Sequence, residues 1–414
     1  MSNRRVLLVC YYFPPLGGAG VGRPLALFKH LPEFGWDCHV LTVKSVAYRA
    51  YEPELLEGLD SGKIYRAGSL DPQRLMYIFG MRRVKASTIA RGKAASDRFF
   101  PDPKVGWVRP AINLGRDLLE NRKYHAVIST SPPISSHLVA RKLSREFSIP
   151  WVADFRDYWT AYRVEDLYAS RPRRIKRGQK LLTSIRNEAA GITAINGSIG
   201  EYAGATDIIY NSFDCDLARQ WTAPQQGGDY LIGVLGTLND IYPVRSLLRV
   251  LNTLRTAHHD LFDRVKVIQV GSYDGNWLKA QLEEFNLIDK FELFGFQKRE
   301  ETIKLLSRTS LLYIGLPSVR EKGFSTGRIY TMLSSGRPIL AAVPPNGEIA
   351  RLIDISNNGH CFFDDTENTA VSYLAEQIKR FHRGELLVQL QPDYAQPFAS
   401  DMMARRFSEV LDRL

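Results

Sequence analysis

Cysteine is scarce in this 414-residue chain: Cys10, Cys38, Cys215 and Cys361 lie far apart, with no C-x-x-C and no metal-binding spacing. That argues against a disulfide framework or a zinc module and fits a reduced, cytosolic protein. Long apolar runs are also missing, and none approaches the ~20 residues needed to cross a bilayer. The N-terminus, Met1 to Arg5, opens straight into a strand, so no signal peptide is expected. No D-x-D pair sits in a loop suited to a metal, and Asp364-Asp365 reads as capping in a turn. Low-complexity tracts and short-period repeats are absent as well.

What is present is enough apolar residue (44%) for a sizeable core and 24% charge, which suits ordered domains. The length fits two domains of roughly 200 residues each. Net charge is +11, which favours anionic partners: nucleotide phosphates, nucleic acid or an acidic membrane face. The basic clusters are "MRRVKASTIARGK" and "RPRRIKRGQK", both in the first half. No helix-turn-helix, zinc or RNA-recognition signature accompanies them, so nucleic acid is not expected. They are either an anionic-membrane contact or simply solvated helix faces.

Short apolar runs alternate with helical patterns, which predicts parallel βαβ units. Expected strands in the first half are 6–10, 39–43, 126–129, 151–153 and 191–195, with helices over 24–31, 110–120 and 136–146. A basic, patternless stretch from about Arg82 to Trp107 reads as a helix and loop. A second series of strands is expected at 230–235, 265–270, 291–294, 311–314 and 339–343. The fold class is therefore α/β with two Rossmann-like domains, 1–210 and 229–398, joined by a Pro- and Gly-rich linker at 211–228. A last amphipathic helix, 399–414, has no strand after it.

The first strand empties into "YYFPPLGGAGVGR", a turn that resembles a dinucleotide fingerprint and fails as one. Gly18 and Gly20 are spaced correctly, but Arg23 stands where the third glycine belongs. The loop is also too long, and no acid closes the second strand to bind a ribose diol. A tight turn needs one or two glycines, whereas this one has Gly17, Gly18, Gly20 and Gly22, which points to a ligand approaching the backbone.

Taken together, "YYFPPLGGAGVGRPLALFKHLPEFGWDCHVLT", "VISTSPPISSHLVARKL", "IPWVADFRDYWT", "ITAINGSIGEY", "GVLGTLND" and "GFSTGRIYTMLSSGRPILA" resemble family 4 glycosyltransferases of the GT-B architecture. Among them the chain is most similar to a bacterial subgroup acting in surface polysaccharide or glycolipid assembly. The resemblance implies two Rossmann-like domains facing across a cleft, with the acceptor on the first and the nucleotide sugar on the second. It also implies that the glycine loop (Gly17, Gly18, Gly20) meets the reacting end of the donor, that configuration is retained, and that the C-terminal helix returns to the first domain. The implied partners are a nucleotide sugar, a glycan or lipid-linked acceptor and an anionic membrane surface, on which a cytoplasmic protein would sit peripherally.

In the second half, "GFSTGRIYTMLSSGRP" predicts a helix capped by Ser325 or Thr326 and ended by Gly336. Its free amides, with Arg328 in the first turn, suit a diphosphate. Gly323 and Phe324 belong to the same donor loop. At Thr331 the family has a ribose-binding glutamate, and Glu321 is the donor-binding candidate for the family's earlier acid, although its spacing from Thr331 differs from the family's. Gly236 and Thr237 fall on the family's first C-terminal turn, where many members carry a basic residue, for which Arg245 is either a substitute or an ordinary surface residue. Phe296 and Gln297 fall on the base-binding loop, with Phe296 equally readable as core.

On the acceptor side, Asp154, Arg156 and Asp157 follow a buried strand, at the sheet edge where ligands bind. Asp157 or Asp154 is expected to polarise the acceptor hydroxyl, with Arg156 pairing either with them or with phosphate. Relatives often carry a histidine in the place of Arg156, so histidine base chemistry is not available there. The alternative for all three is a structural salt-bridge cluster. Ser131 and His137 either line the acceptor pocket or belong to a helix start at Ser135 or Ser136. Phosphate charge would be met by amides and arginines, so neither a metal nor a cofactor is expected. The rival readings are a degenerate, non-catalytic binding or scaffold subunit, which Thr331 favours, and a sugar-nucleotide epimerase-like GT-B enzyme.

Overall fold

The computed structural model of the protein describes residues 4–45, 51–71, 74, 99–159, 172–239, 244–316, 323, 325–363, 366–385 and 387–414. The chain divides into two compact units, Met1–Asn211 with Ser400–Leu414, and Ser212–Ala399.

The first unit carries a parallel sheet of β1 (Arg4–Val9), β2 (Trp36–Val43), β3 (Ile64–Ala67), β4 (Ala126–Ser131), β5 (Trp151–Phe155), β6 (Gly191–Ala194) and β7 (Asp207–Ile208). Their order is β3-β2-β1-β4-β5-β6-β7. The central strands are buried along their length because helices cover both faces of such a sheet, so they read as unbroken apolar runs. The order reverses between β1 and β4. Loops leaving the carboxyl ends of those two strands therefore flank the crevice where an open α/β sheet binds ligands.

The second unit repeats the plan with β8 (Tyr230–Leu235), β9 (Val265–Val270), β10 (Phe291–Leu293), β11 (Leu311–Gly315), β12 (Ile339–Ala342) and β13 (Gly359–Phe362), in the order β10-β9-β8-β11-β12-β13. All its strands are parallel, and its order reverses between β8 and β11. The architecture is thus two Rossmann-like units, as the sequence predicts. The three expected helices of the first half appear as Gly22–His30, Val108–Asn121 and Ser135–Phe147. Residues 82–98 of the basic stretch lie outside the described residues, and at its end Trp107 is fully buried.

The final helix, Ser400–Leu411, packs on the first unit. Met403, Ala404, Phe407, Val410 and Leu411 enter its core. Polar ties add to this: the Trp36 indole donates to Asp412 (2.9 Å), Arg4 pairs with Asp412 (2.6 Å), and Arg413 pairs with Asp207 (2.7 Å). Among the described residues no helix is long and apolar enough to cross a membrane.

Candidate functional site

At the reversal point of the first sheet, Arg156 follows β5 and reaches sideways. Its Nε donates to the Ser131 carbonyl (2.8 Å), Nη1 to the Gly20 carbonyl (3.0 Å) and Nη2 to the Pro132 carbonyl (3.3 Å). One guanidinium thus ties the loop after β1 to the loop after β4. Ser131 itself is buried, its hydroxyl 3.4 Å from the Asp154 carbonyl. Asp157 is exposed beside these loops, with Oδ1 accepting from the Tyr158 amide (2.9 Å).

Asp154 belongs to a different structure. It is fully buried and accepts four bonds: Arg23 Nη2 at 2.7 Å, Arg23 Nε at 2.8 Å, Thr193 Oγ1 at 2.7 Å and Thr130 Oγ1 at 2.7 Å. Burial alone would raise its pKa, but the Arg23 charge and these bonds hold it below the ordinary carboxylate value. A fully buried carboxylate whose two oxygens already take these four bonds is not open to the hydroxyl of an acceptor. The expectation that Asp154 polarises an acceptor is therefore corrected: it is the buried anion that fixes Arg23. Arg23 also donates to the carbonyls of Ile209 (2.9 Å) and Tyr210 (2.8 Å), and its guanidinium lies 5.0 Å from the Phe407 ring. This explains the failed fingerprint, because the position of the third glycine is filled by the cation that joins the first helix to β5 and the final helix.

His137 is likewise corrected. It is 0% exposed, Nδ1 lies 2.7 Å from Ser129 Oγ, and the ring packs against Phe155 at 4.7 Å. Burial lowers its pKa to about 3, so it is a neutral core residue and lines no pocket. Helix Ser135–Phe147 begins without a side-chain cap of its own; Ser135 instead donates its amide and hydroxyl to Asp102, each at 2.8 Å.

The glycine loop has partners inside the protein. Gly18 has φ +90° and its amide donates to Glu52 Oε1 (3.0 Å). A Cβ on Gly17 would collide with the same carboxylate, and one on Gly20 would sit 2.9 Å from the Tyr12 ring. Close approach does explain these glycines, but the approaching groups in the structure are Glu52 and Tyr12. A larger residue at Gly18 would also be strained by its backbone.

In the second unit the carboxyl ends of three adjacent strands turn on glycines with positive φ: Gly236 (+105°), Gly271 (+141°) and Gly295 (+66°). A Cβ on Gly271 would collide with the Gly236 carbonyl, so backbone packs on backbone here. The buried Gln269 amide joins the turns, donating to the carbonyls of Gly271 (2.9 Å) and Gly236 (3.1 Å). Arg328 arrives from the other side of the reversal point. Its Nη1 donates to the Leu235 carbonyl (2.6 Å), Nε lies 3.3 Å from Thr326 Oγ1, and a Cβ on Gly236 would collide with its guanidinium.

The helix carrying Arg328 starts later than expected, at Arg328 itself, and runs to Ser334. Gly327 is the capping residue, and neither Ser325 nor Thr326 caps with its side chain. Thr331, one turn deeper, is half-buried. Gly336, at φ +66°, follows the helix, and a Cβ there would collide with Gln389. Thr237 is exposed beside Gly236, and Gly323 is buried. Phe296 is 72% exposed and therefore not core, while Gln297 donates to the Phe294 carbonyl (2.6 Å). Glu321 and Phe324 lie outside the described residues. Arg245 pairs with Glu284 (2.6 Å) on the surface, the ordinary alternative for it.

Solved structures, glycosyltransferases among them, match this chain in fold over nearly its whole length. It resembles sucrose-phosphate synthase from Thermosynechococcus elongatus at 12% identity, covering 99% of this chain and 98% of that one, with a TM-score of 0.65. Anabaena HepE in complex with UDP matches at 14% identity, covering 99% and 100%, with a TM-score of 0.63. The lipopolysaccharide outer core galactosyltransferase WaaB matches at 13% identity, covering 99% and 100%, with a TM-score of 0.56. The fold is of the GT-B type. No protein-family model matches the chain, and no curated protein matches it by sequence.

Some of the residues that build these loops escape sequence reasoning. Arg23 left one sign, a long cation where glycine was expected. Glu52, and the buried group in which Lys104 Nζ lies 3.3 Å from Asp71 with the Tyr11 hydroxyl on the same carboxylate, left none.

Proposed function

We propose that the protein is a glycosyltransferase that moves a sugar from a nucleoside-diphosphate donor to a polysaccharide or lipid-linked acceptor, with retention of configuration and without a metal. The observation that carries this is Arg328 lying against Gly236 at the reversal point of the second sheet. A fixed cation beside a turn that only glycine can make suits a diphosphate approaching the backbone. The likeness in fold to a galactosyltransferase, and to a protein crystallised with UDP-glucose, supports the same reading.

In this reading Arg328, Gly236 and Thr237 hold the phosphates, with Ser325, Thr326 and Gly323 in the adjoining loop. Thr331 meets the ribose with a neutral hydroxyl, and Phe296 and Gln297 lie toward the base. Asp157, the acid left exposed beside Arg156, polarises the acceptor hydroxyl, and Ser131 helps shape that edge. Thr331 also favours a second reading, a binding subunit without turnover. Incubation with a panel of nucleotide sugars separates the two. Slow hydrolysis abolished by Asp157→Asn supports the transferase. Tight binding with no turnover supports the binding subunit, and no binding overturns both.

A further inference from the structure

The second unit holds a cavity at the amino edge of its sheet, on the opposite side from the glycine turns. It is bordered by Gly336, just before β12, and by Asn358, which leads into β13. Its volume is about 430 Å³. Small-molecule sites span roughly 300–1,000 Å³. The length of a strand, roughly 15 Å, separates this edge from the carboxyl edge where Gly236 and Arg328 meet.

The lining excludes most ligand classes. Its polar groups come from Ser356, Asn357, Asn358, Gln389 and Tyr394, and Leu387 and Val388 add an apolar wall. No charged side chain is among the described residues that line it. Helix Glu348–Ser356 ends at the cavity, so the dipole there is negative and disfavours a phosphate or a carboxylate. With no carboxylate in the lining, a metal ion has no hard ligand either. What remains is a neutral molecule. A carboxamide both donates and accepts hydrogen bonds, and so does a phenol. Three carboxamides and a phenol beside an apolar wall therefore match a molecule whose every polar group is a hydroxyl and whose ring faces are C–H.

The cavity is also preformed. The Asn358 side-chain amide donates to the Gly336 carbonyl (3.1 Å) and to the Tyr394 hydroxyl (2.9 Å), which fixes both side chains. The Gln389 amide donates to the same carbonyl (3.1 Å), and a Cβ on Gly336 would collide with the Gln389 backbone. Among the described residues nothing accepts the Tyr394 hydroxyl proton, nothing donates to the Asn358 side-chain oxygen, and the exposed Asn357 and Gln389 side chains make no hydrogen bond. Two of the four described non-glycine residues in the left-handed region stand at or beside the cavity, Asn357 (φ +47°) and Gln391 (φ +50°). Such backbone is held in place only by its surroundings and gathers at binding sites.

We propose that this cavity binds a neutral glycan, as a carbohydrate site of the second unit separate from the donor site. The binding does not rest on the transferase reading. Where both hold, the site keeps the enzyme on a glycan between transfers.

The test is native electrophoresis of the full chain in gels containing dextran, soluble starch or galactomannan, with alginate as an acidic matrix. Retardation is expected in at least one neutral gel and is expected to persist when UDP is added. The variant N357G/Q389A/Y394F should lose about tenfold or more in affinity for that polysaccharide, since each uncharged hydrogen bond contributes about a factor of two to ten. Gln389→Ala alone, which trims one exposed side chain, should lose affinity in the same direction with its melting temperature kept. Nucleotide binding by the triple variant should be unchanged. The proposal is overturned by normal mobility in all three neutral gels, by retardation in alginate alone, by release with UDP, or by unchanged retardation of both variants. If nucleotides fail to bind while retardation persists, the donor reading falls and the glycan site stands.

Discussion

Removing Asp154 should unfold the first unit before it tells anything about catalysis. In Asp154→Ala the Arg23 guanidinium stays in the core, facing a void where two charge-assisted bonds had been, and two threonine hydroxyls lose their acceptor. Breaking a buried ion pair from one side costs about 3–5 kcal/mol. That is a large part of the roughly 5–15 kcal/mol that holds a domain together. Replacing both partners by apolar residues of similar volume, Arg23→Met with Asp154→Leu, should cost less than either single change, since no unpaired charge remains. The assay is urea unfolding followed by tryptophan fluorescence, with transfer measured on the same preparations. Asp154 also has a depressed pKa in the fold. Its contribution is therefore complete above the unfolded carboxylate value and is lost as pH falls below about 4 toward the lower folded value. An Asp154→Asn variant that keeps full stability and loses all turnover would refute this reasoning and return Asp154 to the catalytic site.

His137 gives a separate pH signature. Its folded pKa is about 3, so the unfolded chain binds the extra proton first, and stability should decline as pH falls from about 6.5, by at most 1.4 kcal/mol per unit. His137→Phe should flatten that decline without weakening acceptor affinity; an unchanged slope would mean that another group titrates. In the glycine loop, Glu52→Ala should raise amide hydrogen exchange at Gly18 about tenfold, whereas Glu52→Gln, which keeps an acceptor, should not. Unchanged exchange in Glu52→Ala would show that the carboxylate does not hold the loop.

The architecture was legible because the central strands of a parallel sheet are buried on both faces and leave apolar runs. All ten expected strands are present, and among the described residues the three unforeseen ones, β3, β7 and β13, are short strands at the sheet edges. "IYRA", "DI" and "GHCF" are mostly half-buried and carry no apolar run. The sites were less legible, since they depend on contacts distant in sequence. Asp154 sits where a catalytic acid would sit, but its partners Thr130, Thr193 and Arg23 come 24, 39 and 131 positions away. His137 falls on the inner side of its helix, and the pattern around it did not separate a core ring from a pocket ring. Arg328 and Gly236 were both named from the sequence, but their contact across the reversal point appears only in the fold.

That contact is also where the account is most directly tested. Calorimetric titration of nucleoside diphosphates should find binding that Arg328→Ala weakens at least tenfold, with the melting temperature of the second unit retained. Thr331→Glu should tighten binding by about 1–3 kcal/mol, because a carboxylate makes charge-assisted bonds to a ribose where the threonine hydroxyl makes one neutral bond. If the protein binds a nucleotide and both substitutions leave that affinity unchanged, the donor site is not at the reversal point of the second sheet.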